Sequence, residues 1–217
     1  MANDLSFIHR FEPATRPGLA PLLLLHGTGG DENDLLPLGP MISPGAARLS
    51  VRGQVLEHGM PRFFRRLAEG VFDEADVKRR AGDLTSFVEA ARDAYGLAAP
   101  LALGYSNGAN IAAAMLLLHP QVLQGGILLR AMVPLANPPE ADLAGRSLLL
   151  VSGQQDPIIP PANGERLAAM LAKAGADMTR RVLPVGHQLS QADITLAREW
   201  LARVDAGTDA TTDTTSA

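Results

Sequence analysis

The chain contains no cysteine. That removes disulfides, thiolate metal sites and a cysteine nucleophile together, while leaving the redox compartment open. It has no long Lys/Arg run and a formal net charge of −4, so nucleic acid is not an expected partner. The start, Met1 to Phe11, mixes Asn3, Asp4, His9 and Arg10 with single apolar residues and offers no continuous apolar region of the signal-peptide kind. The longest apolar runs, such as Leu22–Leu25 and Leu148–Val151, are far too short to span a bilayer. No membrane insertion is expected, and a cytoplasmic location is the default expectation. No internal repeat is visible.

What is present is a chain of 217 residues, 47% hydrophobic and 19% charged, enough for one large domain with a sizeable core. The stretch from Ala206 to Ala217 is mostly Thr, Asp and Ala and has nothing to bury. A single domain over 1–205 followed by a disordered tail over 206–217 is therefore expected.

Short apolar runs alternate with longer helical patterns. Strands are predicted at Pro21–Leu25, Arg48–Gln54, Leu101–Gly104, Gly126–Ala131, Ser147–Ser152 and Thr179–Leu183. Several are apolar at consecutive positions, as strands covered by helices on both faces are. Helices are predicted at Glu74–Tyr95, Asn107–His119, Gly164–Ala174 and Gln191–Val204, with Asp73 as a cap of the first and Gly175 as a stop after the third. The alternation implies an α/β class with a mostly parallel central sheet. Ligands of such sheets collect at the carboxyl ends of the strands, so a polar residue just after a strand carries the most weight.

Gly104-Tyr105-Ser106-Asn107-Gly108 lies between a predicted strand and a predicted helix, the context a Gly-x-Ser-x-Gly nucleophile elbow requires. The flanking glycines let strand and helix approach, and the helix N-terminus favours developing negative charge. An ordinary Ser-Gly turn is the competing reading. A serine hydroxyl needs a base, and the base an orienting acid. Only His119 and His187 follow Ser106. His119 ends the elbow helix before Pro120, remote from the strand ends, whereas His187 follows the last strand behind Gly186. Asp156, in Gly153-Gln154-Gln155-Asp156-Pro157, follows the strand ending near Ser152 and is the acid candidate, with an Asp-Pro turn as the alternative. Asp142 and Asp177 lead into strands, at the opposite sheet edge, and Asp193 has the wrong chain order.

An oxyanion needs backbone donors. The N–H of Asn107 is one candidate, and the loop His26-Gly27-Thr28-Gly29-Gly30 after an early strand supplies the other. That loop has no Gly-Lys-Ser/Thr and no Gly-x-Gly-x-x-Gly pattern, which argues against a phosphate cradle. His26 reads as a structural hydrogen-bonding residue.

These pieces resemble the phospholipase/carboxylesterase branch of the α/β-hydrolases, which includes acyl-protein thioesterases and small bacterial carboxylesterases. The matching runs are Leu25-His26-Gly27-Thr28-Gly29-Gly30-Asp31, Gly104-Tyr105-Ser106-Asn107-Gly108-Ala109-Asn110, Gly153-Gln154-Gln155-Asp156-Pro157 and Gly186-His187, in the family's order over nearly the whole chain. The resemblance implies the α/β-hydrolase fold, a triad of Ser106, Asp156 and His187, oxyanion N–H groups from Thr28 and Asn107, no metal or organic cofactor, and often a homodimer. The better-known members usually have leucine where Thr28 stands and glutamine where Asn107 stands. With Arg52-Gly53 and the run Gly59 to Arg66, the set looks closer to a bacterial subgroup linked to hydroquinone-responsive genes.

No segment is long enough for a large cap domain. The irregular stretch Val55–Phe72 is expected to lie over the site, with Met60, Phe63 and Phe64 either walling an acyl pocket or packing onto the core. Arg52 and Arg130 end apolar strands; they either anchor an anionic substrate group or pair with Glu57 or Asp73 to hold the covering segment. The expected function is a serine carboxylesterase acting on small to medium esters. A thioesterase or lactone hydrolase shares its mechanism, and a non-catalytic ligand receptor on the same fold is the alternative from another class.

Overall fold

Leu22–Leu25 carries no polar residue, which suits a strand buried on both faces, and the computed structural model, describing residues 5–207, puts it at the centre of a sheet. In chain order the elements are β1 (His9–Glu12), β2 (Leu22–Leu25), α1 (Leu38–Ile42), β3 (Arg48–Val51), β4 (Val55–Glu57), β5 (Met60–Arg62), β6 (Arg66–Ala68), β7 (Val71–Phe72), α2 (Glu74–Tyr95), β8 (Leu101–Tyr105), α3 (Asn107–Leu118), β9 (Gly125–Leu129), β10 (Ser147–Gly153), α4 (Pro161–Lys173), β11 (Asp177–Leu183) and α5 (Gln191–Asp205). Seven strands form one sheet in the order β1-β3-β2-β8-β9-β10-β11. Only β1 runs antiparallel to its neighbour. The remaining strands form two hairpins, β4–β5 and β6–β7.

Alternate residues of each central strand serve opposite faces. Leu23, Leu25, Ala102, Leu128, Leu148 and Leu150 join one buried cluster with α2, α3 and α4. Leu22, Leu24, Leu103, Ile127, Leu149 and Val151 join the other, closed by Trp200 of α5. This is the expected mostly parallel α/β sheet with helices on both faces, and no large cap is present among the described residues. Asp73 caps α2 by accepting from the Asp76 N–H, and Gly175 takes φ 96° after α4.

The short edge strand β1, the five-residue α1 and both hairpins were not expected from the sequence. β1, His-Arg-Phe-Glu, has a single apolar residue and is tied to β3 by Glu12 and Arg48, an edge arrangement that leaves no apolar run to read. Of the tail expected over 206–217, Ala206 and Gly207 follow α5 as a turn, and the rest lies outside the described residues. No helix of the described residues is long and apolar enough to cross a membrane.

With leucine on both faces, β2 has no polar residue to fix its register. Steric contact with the elbow helix does so instead. A side chain at Gly108 would overlap the carbonyl oxygen of Leu25, and one at Gly104 would sit 2.7 Å from the Ala109 backbone nitrogen. Gly82, within α2, has only His119 Nε2 at 3.9 Å. Gly108→Ala is therefore expected to cost about 1–3 kcal/mol from overpacking, whereas Gly82→Ala should stabilise by about 0.5–1 kcal/mol. Urea midpoints of the two variants should move in opposite directions.

Candidate active site

Ser106 follows β8 and precedes α3, with φ 52° and ψ −113°, a conformation that lifts its side chain out of the regular path of strand and helix. Its own N–H donates to Leu129 O at 2.8 Å and its carbonyl accepts from Asn110 N–H at 2.9 Å, so neighbouring elements hold the turn. Ser106 Oγ lies 3.0 Å from His187 Nε2, and His187 Nδ1 lies 2.8 Å from Asp156 Oδ2. The structure thus brings Ser106, His187 and Asp156 into one hydrogen-bonded line across the ends of β8, β10 and β11.

Asp156 also fulfils its turn reading. Its Oδ1 accepts from the N–H groups of Ile158 and Ile159 at 2.9 and 3.1 Å, while Oδ2 is left for His187. Both oxygens are spent on orientation, and the side chain is buried. His119, the other candidate, caps the far end of α3 near Gly82 and takes no part.

The N–H groups of Thr28 and Asn107 have no protein acceptor among the described residues. The loop carrying Thr28 is held by His26. Gly53 N–H donates to His26 Nε2 at 3.0 Å, which leaves Nδ1 to carry the proton and donate to Gly27 O at 2.6 Å. The imidazole is 1% exposed, and burial pushes its pKa below the ordinary 6.5. His26 is the structural hydrogen-bonding residue expected.

A cleft of ≈ 250 Å³ opens over Ser106, lined by Thr28, Arg62, Phe72, Tyr105, Met132 and Ile158 among others. The covering stretch is the expected one, since Arg62, Arg66, Glu69, Gly70 and Phe72 all come from it. Its pocket residues are not. Phe63 and Phe64 are fully packed into the core at 3% and 0% exposure, and Met60 lies against Gly29 outside the cleft lining. Phe63, just after β5, donates its N–H to Asn107 Oδ1 at 2.7 Å with its ring packed in the core. Phe72, Met132 and Ile158 form the apolar wall instead, with no sequence period to mark them.

The two strand-end arginines also need correction. Arg52 Nε bonds to Glu32 Oε2 at 2.5 Å and Nη2 to Glu32 Oε1 at 2.9 Å, with Asp31 at 3.6 Å; neither Glu57 nor Asp73 is its partner. Those two carboxylates belong to Arg62, Arg66 and Arg65. Arg130 is wholly buried and pairs bidentately with Asp193 at 2.7 and 2.9 Å. Its remaining donors reach Gly186 O at 3.0 Å and Gln188 O at 3.2 Å, the carbonyls on either side of His187. A substrate anion cannot reach a guanidinium so enclosed. Asp193 completes this arrangement as the N3 residue of a capping box with Ser190.

Among the described residues no group of three or more His, Asp or Glu side chains is arranged to hold a metal ion.

The chain is 45% identical over 194 residues to "Putative hydrolase MhqD" of Bacillus subtilis, covering 88% of this chain and 96% of that protein. The chain belongs to the phospholipase/carboxylesterase family of the α/β-hydrolases. A carboxylesterase of Bacillus cereus superposes with a TM-score of 0.90 at 44% identity, over 92% of this chain and 95% of the other. A carboxylesterase of Mesorhizobium loti gives a TM-score of 0.87 at 34% identity, over 92% and 96%. No family model matches the chain.

Two predictions follow from the charges around the site. Arg130→Met strands the buried Asp193 carboxylate and should cost about 3–5 kcal/mol; a thermal unfolding midpoint that stays put would contradict this account. His26 takes up a proton less readily folded than unfolded. Its contribution is therefore fully present above pH 6.5 and is lost as pH falls below that value. Urea unfolding at about pH 7.5 and about pH 5.5 should show a larger loss for the wild type than for His26→Gln.

Proposed function

We propose that the protein is a serine carboxylesterase that cleaves small to medium carboxylic esters through an acyl-enzyme on Ser106. The observation that carries this reading is the hydrogen-bonded line Ser106–His187–Asp156 beneath a cleft whose two nearby backbone donors, Thr28 and Asn107, have no acceptor among the described residues. The likeness to carboxylesterases at 44% and 34% identity supports ester hydrolysis.

In this mechanism the Ser106 hydroxyl attacks the ester carbonyl while His187 Nε2 takes its proton. Nδ1 then carries the other proton toward Asp156, whose carboxylate stabilises the imidazolium. The carbonyl oxygen becomes an alkoxide, which the N–H groups of Thr28 and Asn107 receive. His187 returns its proton to the leaving alcohol; water, deprotonated by the same imidazole, then attacks the acyl-enzyme, and the proton goes back to Ser106 Oγ as the acid is released. The free helix N-terminus of α3 adds a favourable field at the alkoxide.

The cleft, at ≈ 250 Å³, is smaller than the roughly 300–1,000 Å³ common for drug-sized ligands. Its apolar wall of Phe72, Met132 and Ile158 favours a short acyl or aromatic group. Thioesters and lactones present the same carbonyl to the same groups.

Ser106→Ala should lower p-nitrophenyl acetate turnover by at least about 10³-fold without changing the thermal midpoint. A fluorophosphonate probe should label the wild type and not the variant. Turnover retained by Ser106→Ala sinks the nucleophile assignment, and a wild type that neither turns over esters nor reacts with the probe would be a receptor rather than an enzyme.

A further inference from the structure

The loop Gly27-Thr28-Gly29-Gly30 supplies one of the two proposed oxyanion donors, yet three of its four residues are glycine and Gly29 sits at φ 85°. Such a loop has little intrinsic rigidity. Preorganised donors are worth most when they need not move as charge develops, and a misplacement of about 1 Å costs on the order of 10²-fold in rate. Something outside the loop must fix it.

Three consecutive residues of the covering segment do so. Pro61 O accepts from Gly29 N–H at 2.9 Å. Arg62 Nη1 donates to Thr28 Oγ1 at 2.7 Å. Phe63 N–H donates to Asn107 Oδ1 at 2.7 Å. The same short stretch thus grips both residues whose backbone N–H groups would meet the oxyanion, one from the loop side and one from the elbow side.

We propose that Arg62 is a positioning residue for ester hydrolysis, acting through the Thr28 hydroxyl to hold the Thr28 N–H in line with that of Asn107. The proposal rests on the ester-hydrolase reading above.

The chemistry of Arg62 fits directional work rather than simple bracing. Its side chain is 3% exposed, and a buried cation is costly where an apolar residue would fill the same space. Burial lowers its pKa, while the Glu57 carboxylate at 3.2 Å acts in the opposite direction. The guanidinium is planar and its fork is fixed: Nε reaches Phe64 O at 3.2 Å, and the group lies 5.9 Å over the Phe64 ring. With one edge so anchored, Nη1 has a set direction, and that direction is the Thr28 hydroxyl. Gly53 allows this approach, since a side chain there would press within 2.7 Å of Phe63 N. The guanidinium therefore reads a threonine at this position, where an aliphatic side chain would leave Nη1 without its acceptor.

The test compares Thr28→Ser, Thr28→Val and Arg62→Met with the wild type on p-nitrophenyl butyrate. A trifluoromethyl ketone is measured alongside, because its adduct places an alkoxide where the ester oxyanion forms. Thr28→Ser keeps the acceptor and should recover most of the kcat that Thr28→Val loses. Thr28→Val and Arg62→Met should lose about tenfold in kcat, well inside the loss for removing a donor outright. KM should stay within about twofold, and ketone affinity should weaken in step with kcat. Thr28→Ala serves in place of Thr28→Val if the latter does not fold. Equal kcat for the serine and valine variants overturns the proposal, as does a loss carried by KM alone with unchanged ketone affinity. A wild type without ester turnover would instead overturn the ester-hydrolase reading, and it is seen before any variant is compared.

Discussion

Ser106 and His187 are held by adjacent residues at the end of one strand, Leu129 and Arg130. The Leu129 carbonyl accepts the Ser106 N–H at 2.8 Å, and the Arg130 guanidinium holds the carbonyls of Gly186 and Gln188 around the imidazole. β9 lies between β8, which delivers the serine, and β10, which delivers Asp156. The distance between nucleophile and base is therefore set by the hydrogen-bond spacing of a parallel sheet rather than by the loops themselves. Loops on their own would be a poor ruler. Here each is pinned to the same strand end, so a shift of β9 carries both groups together.

That arrangement concentrates strain and buried charge in a small region. Ser106 and Arg130 are two of three non-glycine residues with positive φ among the described residues, at 52° and 56°. Such backbone conformations cost on the order of 1–3 kcal/mol each. A buried ion pair, taken alone, often contributes nothing net. Both persist because the surrounding packing over-determines them: α3 is buried on nearly every side, and every charged atom of Arg130 and Asp193 has a partner. The pair adds direction rather than stability. An apolar residue at position 130 could fill the space but could not hold two carbonyls apart at the width of a histidine.

Much of this was legible in the sequence. Leucine runs marked the central strands, the two elbow glycines marked a close crossing of helix and strand, chain order set Asp193 aside in favour of Asp156, and position after a strand favoured His187 over His119. The arginines are structural, as one of the two readings had it, but their partners were not legible, for a physical reason. Arg130 and Asp193 are 63 residues apart and Arg52 and Glu32 are 20 apart, separations at which no local period links partners. A cation after an apolar strand near the site looks the same in sequence whether it faces a ligand or a buried carboxylate. Phe63 and Phe64 failed differently. Both are large and apolar in a segment over the cleft, and their burial in the core, beside the bond from Phe63 N–H to Asn107 Oδ1, leaves no trace in the local sequence.

The molecule separates the groups proposed for chemistry from those that shape the approach of the substrate. The reacting line stands on the ends of β8, β10 and β11, whereas one side of the cleft comes from two short hairpins tied by Arg65–Asp73 and Arg66–Glu57. Arg65 is 64% exposed, and pairs of that kind contribute about 0–1 kcal/mol. Hairpins so held open more easily than the sheet beneath them. Substitutions at Glu69 or Phe72, which line the cleft from these hairpins, can therefore alter it without disturbing Ser106. Arg62 is the exception. It sits in the same segment yet bonds to the loop beside the nucleophile, and with Pro61 and Phe63 it fastens the segment that shapes the pocket to the proposed oxyanion donors. Changing the pocket by replacing whole hairpins would break that fastening, whereas changing it residue by residue around Arg62 would not.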